Sequence, residues 1–241
     1  MIEVRDLTIG YGGVALLHDL TFEVEEGDIF VILGGSGCGK STLLRHLVGL
    51  EQPIGGTIRF LCDRPALVAG APSFGVLFQS GALFGSMTLA QNISLPLQKW
   101  TELDAPAIDT IVRAKLRLVG LEGYENHLPA EISGGMKKRA GLARAMALDP
   151  PLLFLDEPSA GLDPVSSAEL DELILALNAS LGATIVIVSH ELQSIFAIGR
   201  HCIMLDKGAG GIIARGNPVE LRDHSDDPRV VAFFNRQAMA A

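Results

Sequence analysis

One stretch of the chain constrains its fold more than any other. It matches the pattern GxxxxGK followed by Ser or Thr, and it reads Gly34-Gly35-Ser36-Gly37-Cys38-Gly39-Lys40-Ser41-Thr42. The apolar, β-branched run at 29–33 predicts a buried strand before it, and residues 42–48 predict a helix after it. A strand, a glycine-rich loop and a helix in this order are the context in which the pattern binds nucleotide phosphates.

Each part of this loop suits the chemistry of phosphate binding. Glycines let successive backbone N–H groups turn toward phosphate oxygens, and the helix N-terminus adds further donors and a positive dipole end. Lys40 has the length to reach the β- and γ-phosphates, and the Ser41 hydroxyl can bind Mg²⁺. Bulky modification of Cys38 blocks nucleotide binding if its thiol faces the phosphates, and is harmless if the thiol points away.

Composition limits the fold class and the kinds of partner. The 241 residues are 48% hydrophobic and 20% charged, which fits one large globular domain or a core with a subdomain. The mean hydropathy of +0.34 is high, yet no run approaches the roughly 18 apolar residues of a membrane-spanning helix. The apolar excess either covers a partner interface or belongs to an Ala- and Leu-rich core. A net charge of −9 argues against nucleic acid as a partner.

The cysteines and the N-terminus predict a cytosolic protein. Cys38, Cys62 and Cys202 are odd in number and far apart, so they form neither a disulfide framework nor a metal-ligand spacing. Residues 1–6 lack the basic segment and apolar stretch of a signal peptide. Membrane association is therefore expected to come through another subunit.

Residue periodicity predicts an α/β chain with a helical insertion. Residues 2–9 and 20–25 alternate as antiparallel strands, joined by a turn at Tyr11-Gly12-Gly13. Helical patterns dominate from Ser80 to about Ile132, and Pro96 and residues 100–104 are expected to break them. The other predicted strands are 55–60, 73–78, 152–155 and 184–188, with a hairpin of 202–206 and 211–215. The predicted helices are 88–97, 106–119, 134–148, 165–180 and 226–236, and residues 62–72 are expected to be irregular.

Polar side chains follow three of the predicted strands. Asp156 and Glu157 come after a buried strand, at the end where ligands bind in open α/β sheets. Asp156 could hold Mg²⁺ beside Ser41, and Glu157 could polarise an attacking water. Gln79 and His190 follow two other strands, where Gln79 could orient water or contact magnesium. Alone, each of these two is a weak indication of function.

Two further features have both an ordinary and a functional interpretation. Ser133-Gly134-Gly135 predicts a Ser-capped helix, whose exposed backbone donors could form a second phosphate site. Tyr11 precedes the glycine loop on a turn, where it is either a surface tyrosine or a platform for a nucleotide base.

Taken together and in this order, these motifs resemble the ATP-binding-cassette (ABC) ATPase family over nearly the whole chain. The resemblance implies an α/β P-loop NTPase fold: an ABC nucleotide-binding domain with a RecA-like core, an antiparallel β subdomain and a helical subdomain. We expect one ABC ATPase domain over 1–241. Within it, 1–79 and 151–225 form the core and antiparallel β subdomain, 80–150 the helical subdomain with Ser133, and 226–241 a C-terminal tail.

The resemblance also implies roles for the residues. ATP is held by two chains arranged head to tail, between the glycine loop of one and the signature, Ser133-Gly134-Gly135, of the other. Tyr11 is similar to the family's adenine-stacking aromatic, and Asp163 lies in a segment similar to the D-loop, which links the two ATP sites. The implied catalytic residues are Glu157 as general base, His190 as γ-phosphate sensor, Lys40 and Gln79. The implied Mg²⁺ ligands are Ser41, Gln79 and Asp156.

Two segments of the chain narrow the resemblance to one subfamily. The segments Phe78–Leu89 and Ile132–Ala140 look like those of the ATPase subunit of Mla/Mce-type transporters, which move phospholipids or other hydrophobic substrates between membranes. The implied partners are a second copy of the chain, an integral-membrane permease of the Mla permease class and an Mce-domain substrate-binding protein. A STAS-domain regulator is an optional partner. The permease would hold the chain at the cytoplasmic face of the inner membrane, and its cytoplasmic helix would dock near residues 79–100.

Two other functions belong to ABC ATPases that are not transporters. One is assembly, such as iron–sulfur cluster scaffolding, and the segment from Gln79 to Leu89 argues against it. The other is DNA repair, which usually requires a long coiled-coil or zinc insertion. No such insertion is present in the sequence, and the acidic charge also fits DNA poorly.

Overall fold

The computed structural model describes residues 1–61 and 72–237. The chain divides into two compact units, one of Met1–Cys62 with Thr184–Ala241 and the other of Asp63–Ala183. Apart from Pro72, the stretch expected to be irregular lies outside the described residues. Within the described ranges, no helix is long and apolar enough to cross a membrane. The core and subdomain boundaries expected from the sequence remain predictions.

Strands and helices alternate along most of the chain. The strands are β1 (Ile2–Tyr11), β2 (Val14–Val24), β3 (Ile29–Gly34), β4 (Gly55–Phe60), β5 (Phe74–Leu77), β6 (Leu152–Asp156), β7 (Thr184–Val188), β8 (His201–Asp206) and β9 (Gly211–Gly216). The helices are α1 (Lys40–Leu47), α2 (Leu89–Trp100), α3 (Ala105–Leu118), α4 (Gly134–Ala145), α5 (Pro164–Leu181), α6 (Leu192–Ile198), α7 (Pro218–His224) and α8 (Pro228–Phe234).

An antiparallel sheet in the first unit confirms the predicted N-terminal hairpin. Its strand order is β2-β1-β4, and β1 pairs antiparallel with both neighbours. Gly12 and Gly13 form the turn between β1 and β2, with φ angles of 57° and 81°. A two-residue loop with positive φ at both positions matches the twist of the strands it joins. Tyr11 is thereby placed as the last residue of β1, directly before the turn.

The first unit also contains parallel strands that position the glycine loop. All residues of β3 are buried, and β3 pairs in parallel with β7 on one side and β8 on the other. The predicted hairpin is formed by β8 and β9. Because β3, β7 and β8 run in the same direction, the loops after their last residues meet at one edge of the sheet.

In the second unit, the helical insertion has an apolar core of its own. Residues of α2, α3 and α4 form one buried cluster that includes Ile93, Leu97, Leu116 and Ala143. The Thr88 side chain accepts a hydrogen bond from Gln91 N, and the Gln91 side chain accepts one from Thr88 N, which is a capping box at the start of α2.

The sequence prediction was wrong about Pro96, which lies inside α2 and does not break it. A proline removes one backbone donor from the helix. The helix nevertheless continues to Trp100, and its next residue, Leu97, is buried in the apolar cluster. Burial of the apolar face thus outweighs the lost hydrogen bond. The break expected at residues 100–104 is present between α2 and α3, except that Trp100 still belongs to α2.

In the C-terminal tail, Pro228–Phe234 form the helix α8, as predicted, and this helix packs against its own unit. Phe234 of α8 lies 5.6 Å from Phe196 of α6 between ring centroids, and the Arg222 guanidinium lies 4.8 Å from the Phe196 centroid. The sequence did not predict α6 or α7. It also placed the end of α4 at residue 148, three positions beyond the observed end.

Candidate active site

The glycine-rich loop joins β3 to α1 within the first unit. Gly34 has a φ of 145°, and a Cβ built on it would lie 2.4 Å from the carbonyl oxygen of Leu205, so only glycine fits there. Gly37 has a φ of 72°, and a Cβ built on it would meet no atom within 4 Å. The loop is therefore packed tightly where it leaves the sheet and faces open space at its tip.

Lys40 is the first residue of α1 and folds back over the loop. It is only 7% exposed, and its Nζ donates hydrogen bonds to the carbonyl oxygens of Gly34 at 2.8 Å and Gly35 at 3.1 Å. Ser41 follows in the first helical turn and is exposed. The ammonium, the helix N-terminus and the loop amides form a compact positive surface, which suits a phosphate group.

Tyr11 is connected to this loop by a hydrogen bond. Tyr11 is 51% exposed, and its hydroxyl lies 2.8 Å from the hydroxyl of Thr42. Thr42 lies in α1, two residues after Lys40. The ordinary interpretation, an exposed surface tyrosine, describes its exposure correctly. The bond to Thr42 shows in addition that the ring is fixed beside the phosphate-binding loop, where its face can contact a base.

Cys38 is buried within the loop, with 2% of its surface exposed. Its Sγ packs toward the strand end, because a Cβ built on Gly34 would lie 2.5 Å from it. Burial raises the pKa of the Cys38 thiol, and the positive charge of Lys40 opposes that rise. The thiol is thus poorly accessible and poorly ionised in the folded chain.

His190 reaches the same sheet edge as the glycine loop. It follows β7, whose Val188 is paired with Ile32 of β3 in the parallel register. Its side chain is 52% exposed, and its Nε2 lies 3.8 Å from the Glu191 carboxylate. Within the first unit, Tyr11 is thus bonded to the start of α1, and His190 follows a strand that runs parallel to β3. Their roles at a nucleotide remain predictions.

The second unit brings together Gln79, Asp156 and Glu157. In the parallel pair of β5 and β6, Leu77 is aligned with Leu155, so the residues after them lie at one edge. Glu157 is 7% exposed and adopts a left-handed backbone conformation with a φ of 46°. Such a conformation is strained for a residue other than glycine, and strain of this kind is concentrated at functional sites.

The segment after Gln79 is attached to α4 within the same unit. Arg144 of α4 donates to the carbonyl oxygens of Ala82 at 2.7 Å and Gly81 at 3.2 Å. A Cβ built on Gly141 would lie 2.9 Å from the Gly81 carbonyl oxygen, so the helix and the segment are in close contact. The position of the backbone next to Gln79 thus depends on α4.

Ser133 caps α4 as predicted, with its Oγ accepting a hydrogen bond from Met136 N at 3.2 Å. Ser133 and Gly134 are exposed, so the first amides of the helix face the surface of the unit.

Asp163 caps α5 in the same way, since its carboxylate accepts hydrogen bonds from the backbone N–H groups of Val165 and Ser166. A hydrogen bond from the Ser166 hydroxyl, followed by these backbone bonds, lowers the pKa of the Asp163 carboxyl. Its local role is that of a helix cap, and a link between ATP sites remains a prediction.

The donor chemistry of Ser41, Gln79 and Asp156 fits a magnesium ion. Hydroxyl, amide and carboxylate oxygens are hard ligands, and Mg²⁺ at nucleotide sites takes only one or two protein ligands together with phosphate oxygens and water. Among the described residues, no group of three or more His, Cys, Asp or Glu side chains could hold a metal ion by itself. Magnesium binding by these three residues remains a prediction.

Lys138 is a residue near the site that sequence reasoning did not identify. It lies on α4, is 6% exposed, and its Nζ donates to the Glu157 carbonyl oxygen at 3.0 Å. A lysine in the run from Lys137 to Arg139 is usually a surface residue. Nothing in the local pattern indicates which member of the run is buried, because the contact spans 19 positions of the chain.

A groove lies on the second unit, between its helices and the start of β5. Its volume is about 340 Å³, and its lining includes Phe74, Leu95, Trp100, Arg144 and Leu148. The floor is mainly apolar, with Lys99 and Arg144 adding positive charge. It overlaps the range 79–100 that the sequence predicted as a docking region.

A phosphate-binding glycine loop, parallel strands and polar residues at strand ends define a P-loop nucleotide-binding protein. The family model for ABC transporters matches residues 17–160. The chain belongs to the ABC transporter family and is one of its ATP-binding, ATP-hydrolysing subunits.

Relatives of known name match nearly the whole chain. The probable ribonucleotide transport ATP-binding protein mkl of Mycobacterium leprae is 43% identical over 97% of this chain, which spans 68% of that protein. The intermembrane phospholipid transport system ATP-binding protein MlaF of Escherichia coli K12 is 39% identical over 98% of this chain and 88% of MlaF.

Solved structures show the same fold. The ATP-binding cassette MJ0796, a dimer in a post-hydrolysis state with ADP and Pi, gives a TM-score of 0.79 at 26% identity, over 90% of this chain and 98% of that chain. The protein cbiO1 from Clostridium perfringens is part of an ABC transporter complex. It gives a TM-score of 0.82 at 28% identity, over 96% of this chain and 94% of the cbiO1 chain.

Proposed function

We propose that this chain hydrolyses ATP to power the transport of phospholipid, or another hydrophobic substrate, between membranes through a separate permease. The observation that carries the proposal is the 39% identity to MlaF, a phospholipid transport ATP-binding protein, over 98% of the chain. The segments Phe78–Leu89 and Ile132–Ala140, which resemble the Mla/Mce subfamily, support the same substrate class. The named relatives do not favour an assembly function such as iron–sulfur scaffolding.

In the proposed mechanism, the glycine loop and Lys40 bind the β- and γ-phosphates and offset the charge that develops on them. Tyr11 stacks on the adenine. Glu157 accepts a proton from the attacking water as general base, while Gln79 and His190 orient the water and contact the γ-phosphate. Ser41, Gln79 and Asp156 would hold Mg²⁺, which neutralises phosphate charge when bound.

The proposed active form is a head-to-tail homodimer. The exposed N-terminus of α4, capped by Ser133, would bind the γ-phosphate of the ATP held by the partner subunit's glycine loop. Asp163 would lie at the junction of the two sites. Since the γ-phosphate makes the contacts across the interface, ATP would close the dimer, and hydrolysis followed by loss of phosphate would open it. The dimeric form of MJ0796 supports this arrangement.

The proposed membrane partner is a permease of the Mla permease class. Its cytoplasmic helix would dock in the groove lined by Phe74, Leu95, Trp100 and Arg144, where an apolar face and an acidic side chain on that helix would both find complementary contacts. An Mce-domain protein would supply the lipid, and a STAS-domain subunit is an optional regulator on the helices of the second unit. The chain would then lie peripherally at the cytoplasmic face of the inner membrane.

Purification of the complex tests the transport function. The chain is extracted with detergent-solubilised membranes, and its partners are identified by mass spectrometry. Recovery with an integral-membrane permease is expected. Recovery only with soluble scaffold proteins would contradict the proposal.

The mycobacterial relative gives a second candidate substrate, because its name specifies ribonucleotide transport. The purified complex is kept in detergent micelles, and its ATPase rate is measured with added phospholipid in one series and with added ribonucleotides other than ATP in another. Stimulation by phospholipid alone is expected. Stimulation by ribonucleotides alone would favour the second candidate.

A further inference from the structure

Lys138 connects the helix that carries the signature to the turn that carries Glu157. It lies in the second turn of α4, five positions after the capping residue Ser133. Its side chain is buried, and its Nζ donates a 3.0 Å hydrogen bond to the carbonyl oxygen of Glu157. Both residues belong to the second unit. A buried, charge-assisted bond of this kind restricts the position of the peptide group that accepts it.

The peptide group in question belongs to a tight turn. The Glu157 carbonyl oxygen also accepts a hydrogen bond from Ala160 N at 3.2 Å, which closes a turn through Pro158 and Ser159. Glu157 itself has a positive φ of 46°. A non-glycine residue stays in this conformation only when surrounding contacts hold it there. The ammonium of Lys138 is one of the donors that hold this carbonyl.

The charges around Lys138 favour the same arrangement. Burial lowers the pKa of the Lys138 ammonium, and the carboxylates of Asp156 and Glu157 act in the opposite direction, toward the charged form. An ammonium would be costly at this buried position without such partners. The Lys138 ammonium therefore interacts with the carboxylates at the end of β6, and it is not one of the solvent-exposed charges of the basic run Lys137–Arg139.

We propose that Lys138 is a positioning residue for ATP hydrolysis, whose ammonium fixes the peptide group after Glu157 to helix α4. The inference rests on the proposed role of Glu157 as general base. Lys138 does not contact the nucleotide in this arrangement. It sets the direction of the Glu157 side chain through the backbone and makes that direction depend on α4, the helix whose N-terminus would bind the partner's ATP.

Three variants of the full-length chain test this role. Lys138→Met keeps the length and apolar stem but removes the donor, while Lys138→Arg keeps a cation that can donate to a carbonyl. Lys137→Met is the matched control, because Lys137 is the neighbouring lysine of the same helix and is only partly buried. Steady-state hydrolysis gives kcat and KM for each, and binding of a non-hydrolysable ATP analogue gives Kd.

We expect Lys138→Met to lower kcat by about 10- to 100-fold, because a small misplacement of a catalytic group costs up to this much. KM and Kd should change by less than about 2-fold, since the phosphate-binding groups are untouched. Lys138→Arg should recover most of kcat, and Lys137→Met should match the original chain. Unchanged kcat in Lys138→Met would overturn the inference. So would a loss of kcat that comes with an equal loss of ATP affinity or of folding, if Lys138→Arg does not restore kcat.

Glu157→Gln, measured in parallel, separates this inference from the function on which it rests. If Glu157→Gln hydrolyses ATP at the original rate, the proposed general base is wrong. If Glu157→Gln is inactive while Lys138→Met is fully active, the general base stands and only the positioning role of Lys138 fails.

Discussion

The hydroxyl of Tyr11 lies 2.8 Å from the hydroxyl of Thr42, so the end of β1 is joined to the first turn of α1 beside the phosphate-binding loop. The tyrosine ring is half exposed, and its hydroxyl is fixed. A ring held in this way loses little conformational freedom when a base stacks on it.

Replacing Tyr11 tests the stacking role. Tyr11→Ala should weaken ATP binding by about 5- to 150-fold, because stacking of a base on an aromatic ring contributes about 1–3 kcal/mol. Tyr11→Phe keeps the ring and loses only the bond to Thr42, so its Kd should stay much closer to that of the original chain. Isothermal titration calorimetry with a non-hydrolysable ATP analogue gives both values. Equal affinities for Tyr11→Ala and the original chain would refute the stacking role.

Lys40→Ala tests the phosphate-binding loop. The substitution removes the ammonium over the loop and both of its bonds to Gly34 and Gly35. Hydrolysis should fall to background, and ATP binding should weaken by about 10- to 100-fold, as expected for loss of a charged hydrogen-bond donor. Arg45→Ala, on the exposed side of the same helix, is the matched control and should bind ATP normally. Unchanged turnover in Lys40→Ala would contradict the assignment of the loop.

Glu157→Gln tests both the general base and the dimer. The amide cannot accept the proton of the attacking water, so kcat should fall by about 100- to 10,000-fold. ATP should still close the two subunits, and the variant should accumulate as an ATP-bound dimer in size-exclusion chromatography with light scattering. Glu122→Gln, an exposed acid elsewhere in the second unit, controls for the loss of one charge. A Glu157→Gln variant that stays monomeric with ATP would argue against the head-to-tail arrangement.

The sequence predicted the features that depend on short-range patterns. The β3 run, the glycine loop and the Ser133 cap each occupy a few consecutive residues whose chemistry is read directly. Pro96 was misjudged because the burial that keeps α2 continuous comes from distant residues. The helix α6 was missed because it is one of the shortest helices and begins without a side-chain cap.

Contacts between distant residues could not be predicted. The Tyr11–Thr42 pair spans 31 positions and the Lys138–Glu157 pair spans 19. Their residue types alone suggest a surface tyrosine and a surface lysine. The order of the motifs, through its resemblance to the ABC ATPase family, predicted candidate members of the site. The hydrogen bonds that fix those members follow from the packing of whole elements.

Thiol reactivity tests the burial of the cysteines. Burial raises the pKa of the Cys38 thiol and raises the pKa of Cys202 to about 12. At pH 8, about one Cys202 side chain in 10,000 would be a thiolate. In a Cys62→Ser variant, both remaining thiols should react slowly with a bulky disulfide reagent in the folded chain and quickly in denaturant. Rapid reaction of Cys38 in the folded chain, with loss of ATP binding, would show that its thiol faces the nucleotide site.

The last helix carries an ion pair whose strength should depend on pH. Asp227 caps α8 by accepting from Arg229 N at 2.8 Å, and it also accepts two bonds from the Arg229 guanidinium. The guanidinium bonds, followed by the backbone bond, lower the pKa of the Asp227 carboxyl to about 2. Because the folded-state pKa lies below the ordinary value of about 3.9, the stabilisation is fully present above pH 4. It should be lost as the pH falls toward 2.

Hydrogen exchange of the α8 amides measures this effect, with Asp227→Asn compared with the original chain at each pH. Asparagine keeps an oxygen that can cap the helix but cannot pair with Arg229, so α8 should exchange faster in the variant at pH 7. The difference should shrink below about pH 4 and be small at pH 2, where about half of the folded-state carboxyl is protonated as well. Asp226→Asn, at the exposed neighbouring position, should exchange like the original chain throughout. A difference that persists unchanged at pH 2 would mean that the asparagine perturbs α8 by a route other than the lost ion pair.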